Sequence, residues 1–248
     1  MRNKPIQSNI KKESSQKAIS IHQPAYLPWL GYFHKIAMAD EFVVLDMTQF
    51  EKNSYINRNK ILTPNGAIWL TVPIETKGIF KNNFLTETKI SNLTSWQKKH
   101  WRSIEQNYNK APFFKEYSDE LKKFYRKKYT RINTLCWDML TYFTTKLGIK
   151  TKLIRSSELS NINGEKTSLI INICQQLGAK TYISGKLGKN YLDIKQFDKI
   201  SIDLIYQKYQ HPKYKQIKSN FISNLCILDL LFNVGPQSLD VIMTGQKS

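Results

Sequence analysis

Short apolar runs that alternate with stretches of helical period constrain this chain more than any other feature. Residues 18–22 read as a strand running into a loop, residues 29–39 have the apolar spacing of a helix, and Phe42-Val43-Val44-Leu45 is a buried strand ending at Asp46. Pro24 and Pro28 keep the intervening loop out of helix, because each proline biases its predecessor to an extended conformation. After Gly148 the alternation returns: a strand at 152–154, a helix over 166–177 stopped by Gly178, a buried strand at 181–183, and another strand over 200–206. Residues 223–233 close as a strongly apolar helix, with Gly235 at its cap and Pro236 opening a last short helix. The pattern predicts an α/β fold with a mixed, partly parallel sheet flanked by helices.

Two segments stand outside this alternation. Thr63-Pro64-Asn65-Gly66 is a turn signal between strand-like runs at 59–62 and 67–74. Residues 93–148 are helical by period and basic: between Lys98 and Arg131 there are eleven basic and four acidic side chains, a balance of +7. The expected organisation is a flexible basic tail over 1–17, with five basic residues and one acid, then a single α/β domain over 18–248 with a helical insertion at about 93–148.

At 248 residues such a domain buries roughly three quarters of its extended surface and needs no disulfide staples. Cys136, Cys174 and Cys226 form neither a CxxC pair nor an even framework, so each is expected as a buried free thiol in a reducing cytoplasm. No run of 18 apolar residues occurs and the first 17 residues are polar, which argues against a membrane span and a secretory signal. The formal charge of +19 draws in anionic partners but does not choose between nucleic acid, acidic lipid, phosphorylated metabolites and an acidic protein.

The segment from His22 to Phe33 (HQPAYLPWLGYF) carries the densest candidate chemistry. It places an imidazole and an amide at the carboxyl end of a strand, facing a helix N-terminus, where ligands of α/β sheets collect. His22 there is a general base with Gln23 holding a substrate carbonyl or amide, or it caps the loop while the aromatics fill the core. Asp46 ends the next strand and either reaches the same rim, orienting a histidine, or forms a turn. Asn57-Arg58-Asn59 offers a guanidinium whose planar fork suits carboxylate or phosphate, or a plain surface arginine.

Ser184-Gly185-Lys186-Leu187-Gly188-Lys189-Asn190-Tyr191 follows a strand, and its glycines and lysines either nest a phosphate or form an ordinary turn. It matches neither the Walker loop nor GxGxxG. His211-Pro212-Lys213-Tyr214 supplies a second histidine, while His34 and His100 fall within helices; Lys98 and Lys99 are expected to depress the protonation of His100. No HExxH, HxH or Cys/His cluster points to a metal. Asp229 lies inside the apolar run 227–233 and needs a partner, either structural or a catalytic histidine. Cys226, one turn earlier, lacks surroundings that would lower a thiol pKa.

Taken in order, His22 to Phe33, Asn57-Arg58, Leu70-Thr71-Val72-Pro73, Ser184-Gly185, His211-Pro212-Lys213-Tyr214 and Asp229 to Gly235 make the chain resemble the WbqC-like family of bacterial proteins over about residues 18 to 240. The resemblance implies a place in O-antigen or other surface-polysaccharide pathways, and addition of acyl or aminoacyl groups such as glycyl to a sugar amine. Its blocks point to His22, Gln23, Tyr26, Trp29, Arg58, Ser184, Gly185, Tyr191, His211 and Asp229. Met47 stands where a second acid is expected after Asp46, and Cys226 where relatives commonly have serine.

The reading this supports is an N-acyltransferase acting on a nucleotide-linked amino sugar. His22 or His211 takes the amine proton, Asp46 or Asp229 orients it, and Gln23 or a loop N–H stabilises the oxyanion. Arg58, Lys186 and Lys189 bind a diphosphate, and Tyr26, Trp29, Asn57, Ser184, Gly185, Tyr191 and Tyr214 complete the substrate contacts. No permanently bound cofactor and no metal are expected; the donor is a thioester of coenzyme A or of carrier-protein pantetheine, and the basic helices suit an acidic acyl carrier protein.

Two other classes compete. A non-catalytic nucleic-acid or anion-binding module would use the basic helices with their interleaved aromatics (Tyr108, Phe113, Phe114, Tyr117, Phe124, Tyr125, Tyr129), although no RNP, KH or helix-turn-helix signature appears. A nucleotidyl-transfer enzyme is suggested by the loose similarity of the His22 and Pro28-x-x-Gly31 opening to HIGH-type sites, with Tyr32 in place of the second histidine.

Overall fold

Residues 16–75, 84–217 and 220–246 are described by a computed structural model; residues 1–15 of the expected tail lie outside them. In chain order the strands and helices are β1 (Ala18–His22), α1 (Leu30–Ala37), β2 (Glu41–Val44), β3 (Arg58–Thr63) and β4 (Gly66–Thr71). Then come α2 (Trp96–Tyr108), α3 (Phe114–Arg126), α4 (Ile132–Lys146), β5 (Lys152–Arg155), α5 (Lys166–Gln176) and β6 (Thr181–Ser184). The chain ends with α6 (Ile194–Asp198), β7 (Asp203–Tyr206), α7 (Ile227–Val234) and α8 (Ser238–Met243).

Five strands form one wholly parallel sheet in the order β5-β2-β1-β6-β7, and β3 and β4 form a separate antiparallel hairpin. The chain starts at the centre with β1, moves out through β2 and β5, then returns to the other side of β1 for β6 and β7. The direction of winding therefore reverses between β1 and β6, and the crevice beyond the carboxyl ends of these two strands is the ligand position of an open parallel sheet. His22 and Ser184 are the last residues of those strands.

Both faces of the sheet are covered, which explains its continuous apolar runs. Ile19, Ile21, Val43 and Ile154 point to one face and pack with Ile170, Ile173 and Cys174 of α5. Phe42 and Val44 point to the other and join a larger core built from α1, the hairpin, α2, α3, α4 and α7. The three helices α2, α3 and α4 account for the basic helical segment. Its Tyr108, Phe114, Tyr117, Tyr125 and Tyr129 are buried. Those rings are spent on the core rather than presented to nucleotide bases.

Two boundaries differ from expectation. The last strand starts at Asp203 because Ser201 takes a left-handed φ of 54°. The helix expected from residue 223 starts at Ile227: Asn224 is left-handed (φ 59°), Gln216 holds both backbone groups of Ile222, and the Cys226 N–H donates to the Lys60 carbonyl at 2.9 Å. Gly235 ends α7 with φ 67° and ψ −133°, and a Cβ there would sit 2.4 Å from the Phe113 ring. Gly235→Ala is expected to cost about 2–3 kcal/mol of stability, from backbone strain plus the clash. Urea denaturation checks this; an unchanged midpoint would contradict it.

Candidate functional site

The site grows from the end of β1. His22 is followed by an irregular loop that three contacts hold in place: the Tyr26 N–H on the Tyr55 carbonyl (3.1 Å), the Asn59 amide on the Leu27 carbonyl (2.6 Å) and the Ile227 N–H on the Pro28 carbonyl (2.9 Å). His22 Nδ1 lies 3.0 Å from the Gln23 carbonyl, which also accepts from the Tyr32 hydroxyl at 3.0 Å. Burial, reinforced by the nearby Lys35 charge and opposed by the Gln23 hydrogen bond, takes the imidazole pKa down to about 3. The ring is therefore neutral near pH 7. Its proton sits on Nδ1, facing the carbonyl, and Nε2 keeps a lone pair. Tyr32 and Trp29, in contact with each other, pack edge-on against the ring at centroid separations of 4.9 and 5.5 Å.

Lys35, on α1, is the residue the sequence reading overlooked. Its side chain is 2 % exposed and donates to the Ile21 carbonyl at 2.9 Å. No carboxylate pairs with it among the described residues. Burial takes its pKa down to about 7. An ammonium has three donors, so two remain for a ligand. A sequence signal existed: Lys35 is the only formal charge in the apolar run of α1, LGYFHKIA.

Two cavities open beyond β1 and β6, and His22, Lys35, Gly185 and Leu187 line both. The smaller, about 290 Å³, adds Trp29, Lys186, Gln207, Tyr209 and His211. The larger, about 540 Å³, adds Gln23, Thr48, Lys166 and Tyr191. The structure thus brings His22, His211, Gln23, Trp29, Gly185, Lys186 and Tyr191 to one crevice. Ser184 supports it from below: it is buried, its hydroxyl donates to the Gly185 carbonyl at 3.2 Å, and a Cβ on Gly188 would lie 2.0 Å from its Oγ. Gln207 donates to the Gly31 carbonyl and to His34 Nδ1, both at 2.8 Å, which ties the chain after β7 to α1. His211 packs against Tyr214 and Phe221, and neither ring nitrogen has a hydrogen-bond partner among the described residues. Burial lowers its pKa to about 4.

Other expected site residues are occupied elsewhere. Asp46 accepts from Ser156 Oγ, the Ser157 N–H and hydroxyl, and the Asn133 amide at 2.8–2.9 Å, so it staples the ends of β2 and β5 to α4. Asp229 accepts from Tyr108, Tyr214 and Gln216 at 2.9, 2.7 and 2.8 Å. Burial raises its pKa against the pull of those three donors. Neither acid hydrogen-bonds a histidine, which corrects the expectation that one of them orients the base; Asp229 reaches His211 only through Tyr214.

Tyr26 is fully buried, with its hydroxyl 2.9 Å from both His100 Nδ1 and the Tyr125 hydroxyl, so it anchors the loop instead of touching the crevice. Burial, rather than Lys98 or Lys99, takes His100 down to about 4. Asn57 donates to the Val72 carbonyl at 2.8 Å. Arg58 stacks 4.4 Å over Trp69 and binds Asn53, on the hairpin and outside both cavities. Lys189 lies 5.4 Å over Tyr206 and lines neither cavity.

All three cysteines are buried, and burial pushes Cys174 and Cys226 up to about 12 and Cys136 higher still. The folded protein is expected to leave a thiol-reactive chromogen unreacted at pH 8 and to titrate three thiols only after unfolding. A fast-reacting thiol in the native state would contradict this. Among the described residues, no group of three or more His, Cys, Asp or Glu side chains is placed to hold a metal ion, and no helix is long and apolar enough to cross a membrane.

Comparison with known proteins adds a family. The profile of the WbqC-like protein family matches residues 23–241. An uncharacterised protein of Mycobacterium tuberculosis (strain ATCC 25618 / H37Rv), Rv1507c, is 39% identical over 228 residues, covering 91% of this chain and 97% of that protein. No solved structure matches the chain.

Proposed function

The chain belongs to the WbqC-like protein family, and from that premise we propose that it transfers an acyl or aminoacyl group from a thioester to the amine of a nucleotide-linked amino sugar, in the building of a bacterial surface polysaccharide. One observation carries the reading: a neutral imidazole with a free Nε2 stands beside a buried ammonium that has no counter-ion among the described residues, at the winding reversal of a parallel sheet. A base and an anion-binding group in one crevice are what amide formation on a sugar nucleotide requires.

In the proposed step the sugar amine attacks the thioester carbonyl, forming a C–N bond and a tetrahedral oxyanion. His22 Nε2 takes the proton that the attacking nitrogen must lose. The C–S bond then breaks, the thiolate leaves, and the proton held on His22 passes to it. A base of pKa about 3 is weak, but the attacking nitrogen becomes far more acidic once it bears positive charge. A bound diphosphate also neutralises Lys35, removing one of the two effects that depress His22. Lys35 and Lys186 serve the diphosphate, and backbone N–H groups at Gly185–Leu187 face the oxyanion; Arg58 and Lys189 take no part. In this scheme Trp29 and Tyr191, which line the two cavities, wall the sugar.

Release of thiol from an acyl-thioester donor tests the scheme, and the inert protein cysteines keep the background low. Thiol is expected only when amino sugar and donor are both present. Release independent of the sugar would mean simple thioester hydrolysis and would reject amide transfer.

A further inference from the structure

A concavity of about 630 Å³ lies away from the crevice, between α2 and α3. Lys98, Lys122, Arg126 and Lys128 converge on it, Trp101 and Tyr125 form its floor, and no carboxylate among the described residues lines it. We propose that this groove is a second binding site, for a small ligand carrying two or more phosphoryl groups. It is independent of the chemistry assigned to the crevice.

Charge segregation is the first argument. Two acids of the helical segment are drawn away from the groove: Glu120 pairs with Lys146 at 2.8 Å and Asp138 with Lys127 at 2.8 Å. Glu105 is the exception: outside the lining itself, it pairs with Lys122 at 3.7 Å and accepts from Trp101 Nε1 at 3.2 Å, so it offsets the charge of Lys122 alone. Lys98, Arg126 and Lys128 make no ion pair among the described residues. Lys122 and Arg126, four apart on α3, share one face of that helix. Lys98, Arg126 and Lys128 around one concavity repel each other, and an occupying anion is what offsets that repulsion.

Shape and chemistry narrow the class. A nucleic-acid surface would offer exposed aromatic rings along an open track, whereas Trp101 and Tyr125 are nearly buried and Trp101 is already packed by Phe114 and Lys122. A short concavity with several point charges and one guanidinium fork suits adjacent phosphoryl groups instead. The floor is also tied to the crevice loop, since the Tyr125 hydroxyl lies 2.9 Å from that of Tyr26.

Calorimetric titration of the full chain with ADP and with pyrophosphate tests the proposal. A Lys35→Met/Lys186→Gln background removes both ammonium groups of the smaller crevice cavity from the readout. One saturable site is expected, with pyrophosphate competing against ADP. Lys98→Gln/Arg126→Gln is expected to weaken binding at least about tenfold, and Lys180→Gln/Lys199→Gln, two exposed lysines elsewhere, to leave it unchanged. Equal weakening by both pairs would show a diffuse cationic surface and overturn the proposal. Absence of saturable binding would overturn it too, as would binding seen only with a single-stranded oligonucleotide. Failure of amide formation in the crevice leaves these outcomes untouched.

Discussion

His22→Ala is expected to lower the acyl-transfer rate by about 10²–10⁴-fold, the usual contribution of a positioned acid–base group, with substrate affinity changed only a few-fold. The native fold should survive, because His22 makes one hydrogen bond, to the neighbouring Gln23 carbonyl, which Tyr32 continues to satisfy. The pH dependence supplies an independent readout. In the free protein His22 loses activity only as pH falls through about 3, since the neutral imidazole is the working form. Lys35 must be protonated to hold an anion, so kcat/KM falls as pH rises through about 7. That alkaline limb should vanish in Lys35→Met. A His22→Ala protein with full activity would remove His22 as the base.

Lys35→Met is expected to make the protein more stable and less able to bind its ligand. The ammonium titrates near 7 in the folded chain and near 10.5 when unfolded. Between those values the unfolded chain holds the proton that the native chain has released, so wild-type stability rises with pH across that window. Below pH 7 both states are charged and the full cost of burying the ammonium is present, at about 1.4 kcal/mol for each pKa unit. Against this stands the hydrogen bond to the Ile21 carbonyl, whose loss costs about 1–3 kcal/mol. Burial wins, so a net gain of about 2–3 kcal/mol is expected at pH 6, shrinking to a small loss above pH 10.5. Denaturant midpoints across pH measure it, and thermal shifts with sugar nucleotide report the lost binding. A lysine kept only for structure would show the opposite: lower stability at pH 6 and unchanged binding.

Much of this arrangement is legible in the sequence, for identifiable reasons. Strands buried on both faces are continuous apolar runs, so β1, β2 and β6 are readable to within a residue or two, and His22 and Ser184 fall at carboxyl ends where ligands gather. Strand order is another matter. Nothing local in the chain says that β6 lies beside β1, and only that pairing brings Gly185 and Lys186 to His22. Arg58 misled because the hairpin forms its own two-stranded sheet, and Trp69 takes the guanidinium. Asp229 announced a need for partners by standing in an apolar helix, but Tyr108 is 121 residues away in the chain. Lys35 gave the same announcement. It differs from Asp229 in what answers it: three side chains satisfy the carboxylate, whereas the ammonium finds one carbonyl and an open crevice.

The most direct test of the account is the mass of a thymidine diphosphate-linked amino sugar after incubation with the purified protein and pooled acyl and aminoacyl thioesters, on coenzyme A and on carrier protein. The account predicts that the sugar nucleotide gains one acyl group in place of an amine hydrogen, with an equal amount of thiol released, and that His22→Ala abolishes both. An unchanged sugar nucleotide with every donor, from a folded protein whose melting temperature nevertheless rises with that sugar, would contradict it and leave the crevice as a binding site without transfer chemistry.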